Sequence, residues 1–228
     1  MLLKIKGIVA KSLPNLGFKP EEITVLSPMQ RGVVGVRNLN DELQKVVNPP
    51  AAHKAEHQRG GTVFRVGDRV MQRRNNYDKN VFNGDVGYIN HIDSEEQVVA
   101  IDYPEGPVEY DFSETDELMH AFSCSVHKSQ GSEYPACVLI VHTTHFMMLQ
   151  RNLIYTGLTR AKKFAVIVGT TKAIGIAVRN RHVEPRFTRL AQRLQNLVEG
   201  LGHGKLGGGK GGAERTELPT PPLPGRLF

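Results

Sequence analysis

Apolar and polar positions recur along this chain with more than one period, and the changes of period divide it. Ile23-Thr24-Val25-Leu26-Ser27-Pro28 is a short β-branched run closed by proline, which predicts a buried strand. After it, Val36, Leu39, Leu43 and Val47 fall at helical spacing with Arg37, Asp41, Glu42 and Lys45 between them. That is an amphipathic helix, stopped by Asn48-Pro49-Pro50. Strand, loop, helix is the unit of a parallel α/β sheet. Residues 51–61 (AAHKAEHQRGG) are polar and small and predict an exposed loop. From about Val63 to Phe112 the period becomes two, in runs such as Val63–Val66 and Gln97–Ile101. Gly67-Asp68, Asn83-Gly84-Asp85 and Pro104–Pro107 punctuate these runs, so tight hairpins and a small antiparallel barrel are expected as an inserted module. Ala136–Val141 and Phe164–Gly169 are then continuous apolar runs, the pattern of strands covered on both faces. Met147 to Arg160 between them is long enough for a helix, and Phe187, Leu190, Leu194 and Leu197 line one face of a last one. Beyond Glu199 the chain turns Gly-rich and then Pro-rich, with too little apolar content to offset the entropy of ordering, and a disordered tail is expected.

Composition narrows the class without naming a function. The 228 residues suffice for one domain carrying a small insertion, and 39% hydrophobic with 23% charged residues is ordinary for a globular protein. No apolar run approaches the roughly 20 residues a membrane-spanning helix needs. The first residues show no small-residue cleavage site, so a cytoplasmic address and no membrane partner are expected. Cys124 and Cys137 lack CxxC spacing and read as buried thiols. A net charge of +6 leans weakly toward a polyanionic partner.

Two stretches carry candidate chemistry. Ser125-Val126-His127-Lys128-Ser129-Gln130-Gly131-Ser132-Glu133 lies between two predicted strands and offers a glycine, a cation and several hydrogen-bonding groups at a strand's C-terminal edge, where open α/β sheets bind ligands. Leu153–Lys163 ends just before the strand at Phe164, and Arg160 at that edge can reach out of the domain. Taken singly, Arg160 reads as a solvated residue near a helix end, Arg31 as a helix-start residue, and His127-Lys128 as an exposed turn. The cluster Arg73-Arg74-Asn75-Asn76-Tyr77 sets cations beside an aromatic, a pairing that suits single-stranded nucleic acid, or a solvated hairpin.

Taken together, VHKSQGSEYP and NLIYTGLTRAKK resemble motifs V and VI of RecD-like, UvrD-type superfamily-one DNA helicases. LSPMQRGVVGVRNLNDELQKVVNPP resembles the family's motif IV region, and RVGDRVMQRRNNYDKNVFNGDVGYI its inserted SH3-like subdomain. The resemblance covers roughly residues 20–195. It implies an α/β, RecA-like domain of the P-loop-NTPase type, the second motor domain, with an SH3-like β-barrel inserted. Its parts would be residues 1–58 and 116–198 for the motor domain, 59–115 for the barrel and 199–228 for the tail. It further implies that Arg160 and Arg31 are catalytic, both aimed at the γ-phosphate of ATP, where a guanidinium's planar fork suits phosphate oxygens. Gln130, Gly131 and Glu133 would line the nucleotide, and Ser125, His127 and Lys128, with Arg73 and Arg74, would face single-stranded DNA. Thr156 and Thr159 would couple the two sites.

An ATPase of this type also needs GxxxxGK[ST]. The nearest match, Gly204–Lys210, lacks the following hydroxyl residue and sits in the tail. Asp41-Glu42 and Asp116-Glu117 follow no apolar strand, so neither is a magnesium-binding pair. In His53-Lys54-Ala55-Glu56-His57 the glutamate adjoins the second histidine, unlike HExxH, and no metal site is expected; a loop pair of histidines is. In the tail, Pro219–Pro222 and Pro221–Pro224 fit PxxP and read as part of a disordered end. The expected function is the C-terminal half of an ATP-dependent 5′–3′ DNA helicase, inactive alone. Its ATP and Mg²⁺ would be bound mainly by an N-terminal half bearing the P-loop, with nuclease or helicase subunits as further partners. The alternatives are a stand-alone single-stranded nucleic-acid-binding module and an inactive helicase remnant.

Overall fold

Ile5, Val9 and Leu13, spaced by four, open the chain and bury one face of a helix that the strand-and-helix pattern did not anticipate. It comprises α1 (Leu2–Gly7), a π-helical stretch (Ile8–Ser12) and α2 (Leu13–Asn15). The computed structural model describes residues 1–180 together with Leu194 and Gln195. Those last two are helical. The remainder of the helix expected over 186–198, and the tail from Glu199, lie outside the described residues.

The run Ile23–Ser27 is strand β1, buried along its whole length, and Val36–Val47 is helix α3, as the periodicity predicts. Of the stretch expected as a loop at 51–61, residues 51–55 hold no strand, and the rest is half of a hairpin. Strands β2 (Glu56–Arg59) and β3 (Thr62–Arg65) pair antiparallel across Gly60-Gly61, both at positive φ. Two adjacent positive φ values at no steric cost make this glycine pair a tight two-residue turn. The two histidines are therefore not a loop pair. His57 is buried in β2, stacked 3.8 Å from the Phe112 ring, with Nε2 3.1 Å from the Thr115 hydroxyl. Among the described residues no group of histidine, cysteine and acidic side chains is placed to hold a metal ion.

The period-two region forms β4 (Arg69–Gln72), β5 (Val86–Asp93), β6 (Val98–Tyr103) and β7 (Gly106–Asp111), joined by β8 (Leu118–His120). They make one antiparallel sheet in the order β7-β6-β5-β4-β8 around Val70, Ile89, Val99, Ile101 and Tyr110. Glu117, rejected as a magnesium ligand, belongs to this module. Its carboxylate accepts from Gln72 Nε2 at 2.7 Å, Arg74 Nη2 at 2.9 Å and Asn76 Nδ2 at 3.2 Å.

Only Ala121 and Phe122 separate β8 from β9 (Ser123–Ser125), which belongs to a different sheet. That sheet adds β10 (Tyr134–Val141) and β11 (Ala161–Gly169) to β1, all parallel, in the order β11-β10-β1-β9. Alternate strand residues face opposite ways, as the pleat requires. Leu26, Cys137, Leu139 and Val141 pack with α4 (Arg151–Leu158) and α5 (Thr171–Arg179). Val25, Ala136, Val138 and Ile140 pack with Ile5, Val9, Leu39 and Leu43. Both cysteines are free and buried, and burial pushes the thiols up, Cys124 to about 11 and Cys137 to about 12. Strand β10 is covered on both faces as expected. Strand β11 is not: among the described residues it is an edge strand, with Phe164 and Ile167 exposed. An edge strand loses cover on one flank, which a run of apolar letters cannot reveal. Among the described residues no helix is long and apolar enough to cross a membrane.

What fixes the antiparallel module on the parallel sheet is a buried carboxyl group. Asp68 is fully buried in the turn before β4. Its oxygens accept from Gln44 Nε2 at 2.6 Å and Asn48 Nδ2 at 2.8 Å, both from α3. They also take the Arg65 N–H at 2.8 Å and lie 3.1 Å from His120 Nε2. Removing the acceptor strands several buried donors at once, each costing its desolvation. Asp68→Ala is expected to lower stability by about 3–5 kcal/mol, read from urea unfolding.

A second tie has a pH signature. Lys6 and Lys45 both reach Glu42 on α3, at 2.7 and 2.6 Å. Lys45, then Lys6, by their hydrogen bonds hold its carboxyl down from 4.5 to about 2. A depressed carboxyl pKa stabilises the fold above its unfolded value and loses that contribution as pH falls through the folded one. The wild type should therefore lose stability between pH 4.5 and about 2, and Glu42→Gln should flatten that part of the curve in acid titration followed by circular dichroism.

Candidate nucleotide and nucleic-acid interface

The loop Val126–Glu133 must cross the sheet, because it leaves β9 at a C-terminal edge and enters β10 at an N-terminal one. Its first half is wound tightly. Ser125 Oγ accepts the Lys128 N–H at 3.2 Å, Ser129 N–H reaches Ser125 O at 3.0 Å, and the buried Ser129 hydroxyl donates to Val126 O at 2.7 Å. This winding turns His127 and Lys128 outward, and both are exposed. Ser125 is 7% exposed, and its hydroxyl holds the turn that presents Lys128.

The second half bends at Gly131, whose φ of +87° favours glycine, and delivers Ser132 and Glu133 to the opposite edge. There the loop meets Arg160. The Tyr134 N–H donates to Arg160 O at 2.8 Å, and the guanidinium docks between the ends of the loop and of α4. Nη1 donates to Ser132 O at 3.1 Å, Nε to Thr156 O at 3.2 Å, and Nη2 to the Thr159 hydroxyl at 3.3 Å. Three of five N–H donors are thereby used and two remain. Among the described residues no carboxylate lies within 4 Å of Arg160. Glu133, two-fifths buried, instead pairs with Lys162 at 3.3 Å. Gln130 is exposed near the middle of the loop, and with His127 it walls a cavity of about 260 Å³ against Gln150, Asn152 and Thr156.

Arg160 thus lies at the N-terminal edge of β11, just before the strand as its place in the sequence implies. Helix α4 runs opposite to the strands, so a residue between helix and strand must sit where the strand begins. Arg31 lies at the other edge, beyond the end of β1. From the level of Tyr134, beside Ala161, to that of Ile140, one step beyond Leu26, is six residues of strand, about 20 Å. The two arginines therefore lie at opposite edges of the sheet. Arg31 is exposed on the turn between β1 and α3, with no carboxylate in reach among the described residues. Gly35 closes that turn. A Cβ there would fall 2.3 Å from Arg31 O, so glycine is required by close approach despite an ordinary φ of −80°.

The C-terminal edge carries two concavities that share Gln30. One, about 540 Å³, runs between α3, the β2–β3 turn and β8, and is lined by Arg37, Arg73 and Lys128, with Asp41 one turn along α3 from Arg37. The other, about 470 Å³, lies between Pro28–Arg31 and Thr144–Met148 and is mostly apolar. Arg73 thus borders the groove, its Nη1 also donating to Asp116 O at 3.1 Å. Arg74 is engaged differently, its Nη2 2.9 Å from Glu117 Oε1. Sequence reasoning missed Gln30, Arg37 and Asp41 as lining residues. Arg37 and Asp41 were legible only as the polar face of a helix, and their facing the β2–β3 turn needed the tertiary fold.

A model described as ATP-dependent RecD-like DNA helicase SH3 domain matches residues 39–103, and one described as UvrD-like helicase C-terminal domain matches 120–168. The chain is 34% identical over 189 residues to the ATP-dependent RecD2 DNA helicase of Deinococcus radiodurans, covering 82% of this chain and 25% of that protein. It is 28% identical over 180 residues to the RecBCD enzyme subunit RecD of Haemophilus influenzae, covering 77% and 25%. A crystal structure of Pif1 helicase from Bacteroides in complex with ADP-AlF3 and ssDNA superposes with a TM-score of 0.49 at 15% identity, covering 78% of this chain and 46% of that one. The chain spans about a quarter of the length of the curated relatives it matches. The insert and the parallel sheet that carries it match two helicase domain models in tandem, and the chain belongs to the RecD-like DNA helicases, corresponding to their C-terminal motor region.

Proposed function

We propose that this chain forms one wall of an ATP-driven motor that moves on single-stranded DNA, 5′ to 3′, with the nucleotide at one edge of its parallel sheet and the DNA at the other. The observation that carries the reading is Arg160. Its guanidinium is anchored by two backbone carbonyls and a hydroxyl, meets no carboxylate among the described residues, and keeps two N–H donors unused. A cation fixed in place but not neutralised suits charge that develops on a transferring phosphoryl group. Gly131 and Glu133 lie at the same edge, and Gln130 lies between the edges. A Cβ built on Gly131 would meet nothing within 4 Å, so its backbone is open to close approach.

These residues fit a triphosphate held mainly by other residues. The sequence offers a guanidinium and an open glycine backbone but no GxxxxGK[ST], so ATP and Mg²⁺ would be gripped by a P-loop-bearing N-terminal half. ATP supplies the phosphoanhydride whose hydrolysis drives movement. At the other edge, Lys128, Arg37 and Arg73 line a cationic groove, His127 stands beside Lys128 in the chain, and Arg31 is next to the groove through Gln30. We assign Arg31 to this track rather than to the phosphate. Contacts of this kind hold backbone phosphates without reading bases. The loop Val126–Glu133 has one end in each site, so a shift at either is passed to the other through a single short connection.

With a P-loop-bearing half added, Arg160→Ala is expected to lower DNA-stimulated ATP hydrolysis by about 10³-fold while single-stranded DNA binding persists. An unchanged rate with binding intact would leave a nucleic-acid-binding module without a nucleotide role. Neither rescue of hydrolysis nor DNA binding would point to an inactive remnant. Arg31→Ala should act oppositely, weakening DNA binding and reducing the slope of log affinity against log salt by about 1. Hydrolysis at saturating DNA should stay near the wild-type rate, and a loss there equal to that of Arg160→Ala would return Arg31 to the nucleotide.

A further inference from the structure

Arg69, on β4, is a buried cation whose charge the fold does not neutralise. It is 6% exposed, and among the described residues no carboxylate lies within 4 Å of it. Nη1 donates to Ile23 O at 3.1 Å and to the Thr24 hydroxyl at 3.0 Å, and the guanidinium lies 5.5 Å from the centroid of the Tyr134 ring. Nε, also buried, has no partner. Burying a guanidinium is costly unless an anion or a full set of acceptors meets it, and here a carbonyl, a hydroxyl and a ring face are what it has.

The same side chain lines a cavity of about 330 Å³. Its other walls are Pro20 and Glu21 before β1, Val47 at the end of α3, Phe122 before β9, and Tyr88 on β5. The walls are chiefly apolar, in keeping with small-molecule sites, which pair an apolar surround with a few fixed polar groups. Burial pushes the Tyr88 phenol up, with Arg69 pulling it down and Glu21 pushing it up, so the phenol feels both charges.

We infer that this cavity binds a small monoanion with an apolar body, an aromatic carboxylate being the simplest member of the class, with its charge toward Arg69 and its ring among Pro20, Val47, Tyr88 and Phe122. Glu21 in the wall disfavours a dianion such as a phosphomonoester by added repulsion. The site is separate from the loop Val126–Glu133 and from the basic groove, and the inference does not rest on the motor reading. Because Val47 comes from the helix packed on the parallel sheet while Arg69 and Tyr88 come from the antiparallel module, an occupant would hold the two sheets against each other.

The probe is 4-fluorobenzoate, followed by ¹⁹F line broadening on titration with the whole chain, with neutral 4-fluorobenzamide as the matched control. Saturable binding of the carboxylate, about tenfold or more tighter than the amide, is expected, the ratio a charge-assisted contact supplies. Arg69→Met should abolish that preference. Val47→Phe, which fills the cavity from a partly exposed position and leaves Arg69 in place, should abolish binding of both probes while circular dichroism stays native. Equal binding of acid and amide, retention of binding by Val47→Phe, or no saturable binding to the wild type would each overturn the proposal. Should Arg69→Met fail to fold, the Val47→Phe and amide comparisons still decide.

Discussion

One buried carboxyl group holds this architecture in register. Asp68 gathers partners from α3, from the end of β3 and from β8, and α3 and β8 are far apart in sequence. An antiparallel module inserted into a parallel sheet has no covalent reason to face it at any one angle beyond its two chain crossings. A cluster of directional bonds around a single acceptor supplies that reason, because buried donors left without it would be expensive. Arg65 extends the cluster, its Nη1 reaching Asn48 O at 2.5 Å and its Nε meeting Glu56 at 2.6 Å. The hairpin β2–β3, whose glycine turn borders the basic groove, is thereby tied to the same centre.

The groove depends on that placement. Arg37 and Asp41 come from α3, Arg73 from the end of β4, and Lys128 from the loop after β9. None is adjacent to another in the chain, and no single element presents more than two. The groove exists because the module is docked, so its charge pattern is a property of the interface between the sheets. Lys128 reaches it through the turn that Ser125 and Ser129 wind, where both hydroxyls are committed to backbone partners.

The crossing loop gives the domain its economy. A connection between parallel strands must travel the length of the sheet. Most α/β connections make that journey as a helix, whereas Val126–Glu133 does so as a chain of tight turns that ends on Arg160. Helix α4 runs the same way, from Gln150 at the C-terminal edge to the arginine at the other. Its packing is close: a Cβ on Gly157 would come within 2.7 Å of Leu139 Cδ1, so this glycine lets the helix lie low on β10. Loop and helix therefore deliver Ser132 and Arg160 to one point from two directions.

The sequence alone determined the strand at Ile23–Ser27, the helix at Val36–Val47, the change to period two and the return to apolar runs. Each is a local repeat of residue character, and local repeats survive in one dimension. It also marked the two stretches that carry the candidate chemistry, through residue types suited to binding phosphate. Tertiary structure decided the rest. It made a hairpin strand of the polar segment holding His57, because Phe112 arrives from more than fifty residues away to cover the ring. It left β11 at the sheet's edge, since strand order is set by crossovers that composition does not record. It also separated Arg31 from Arg160, because whether a residue follows a strand or precedes it selects the edge it occupies, and only the pairing of the strands tells how far apart those edges are.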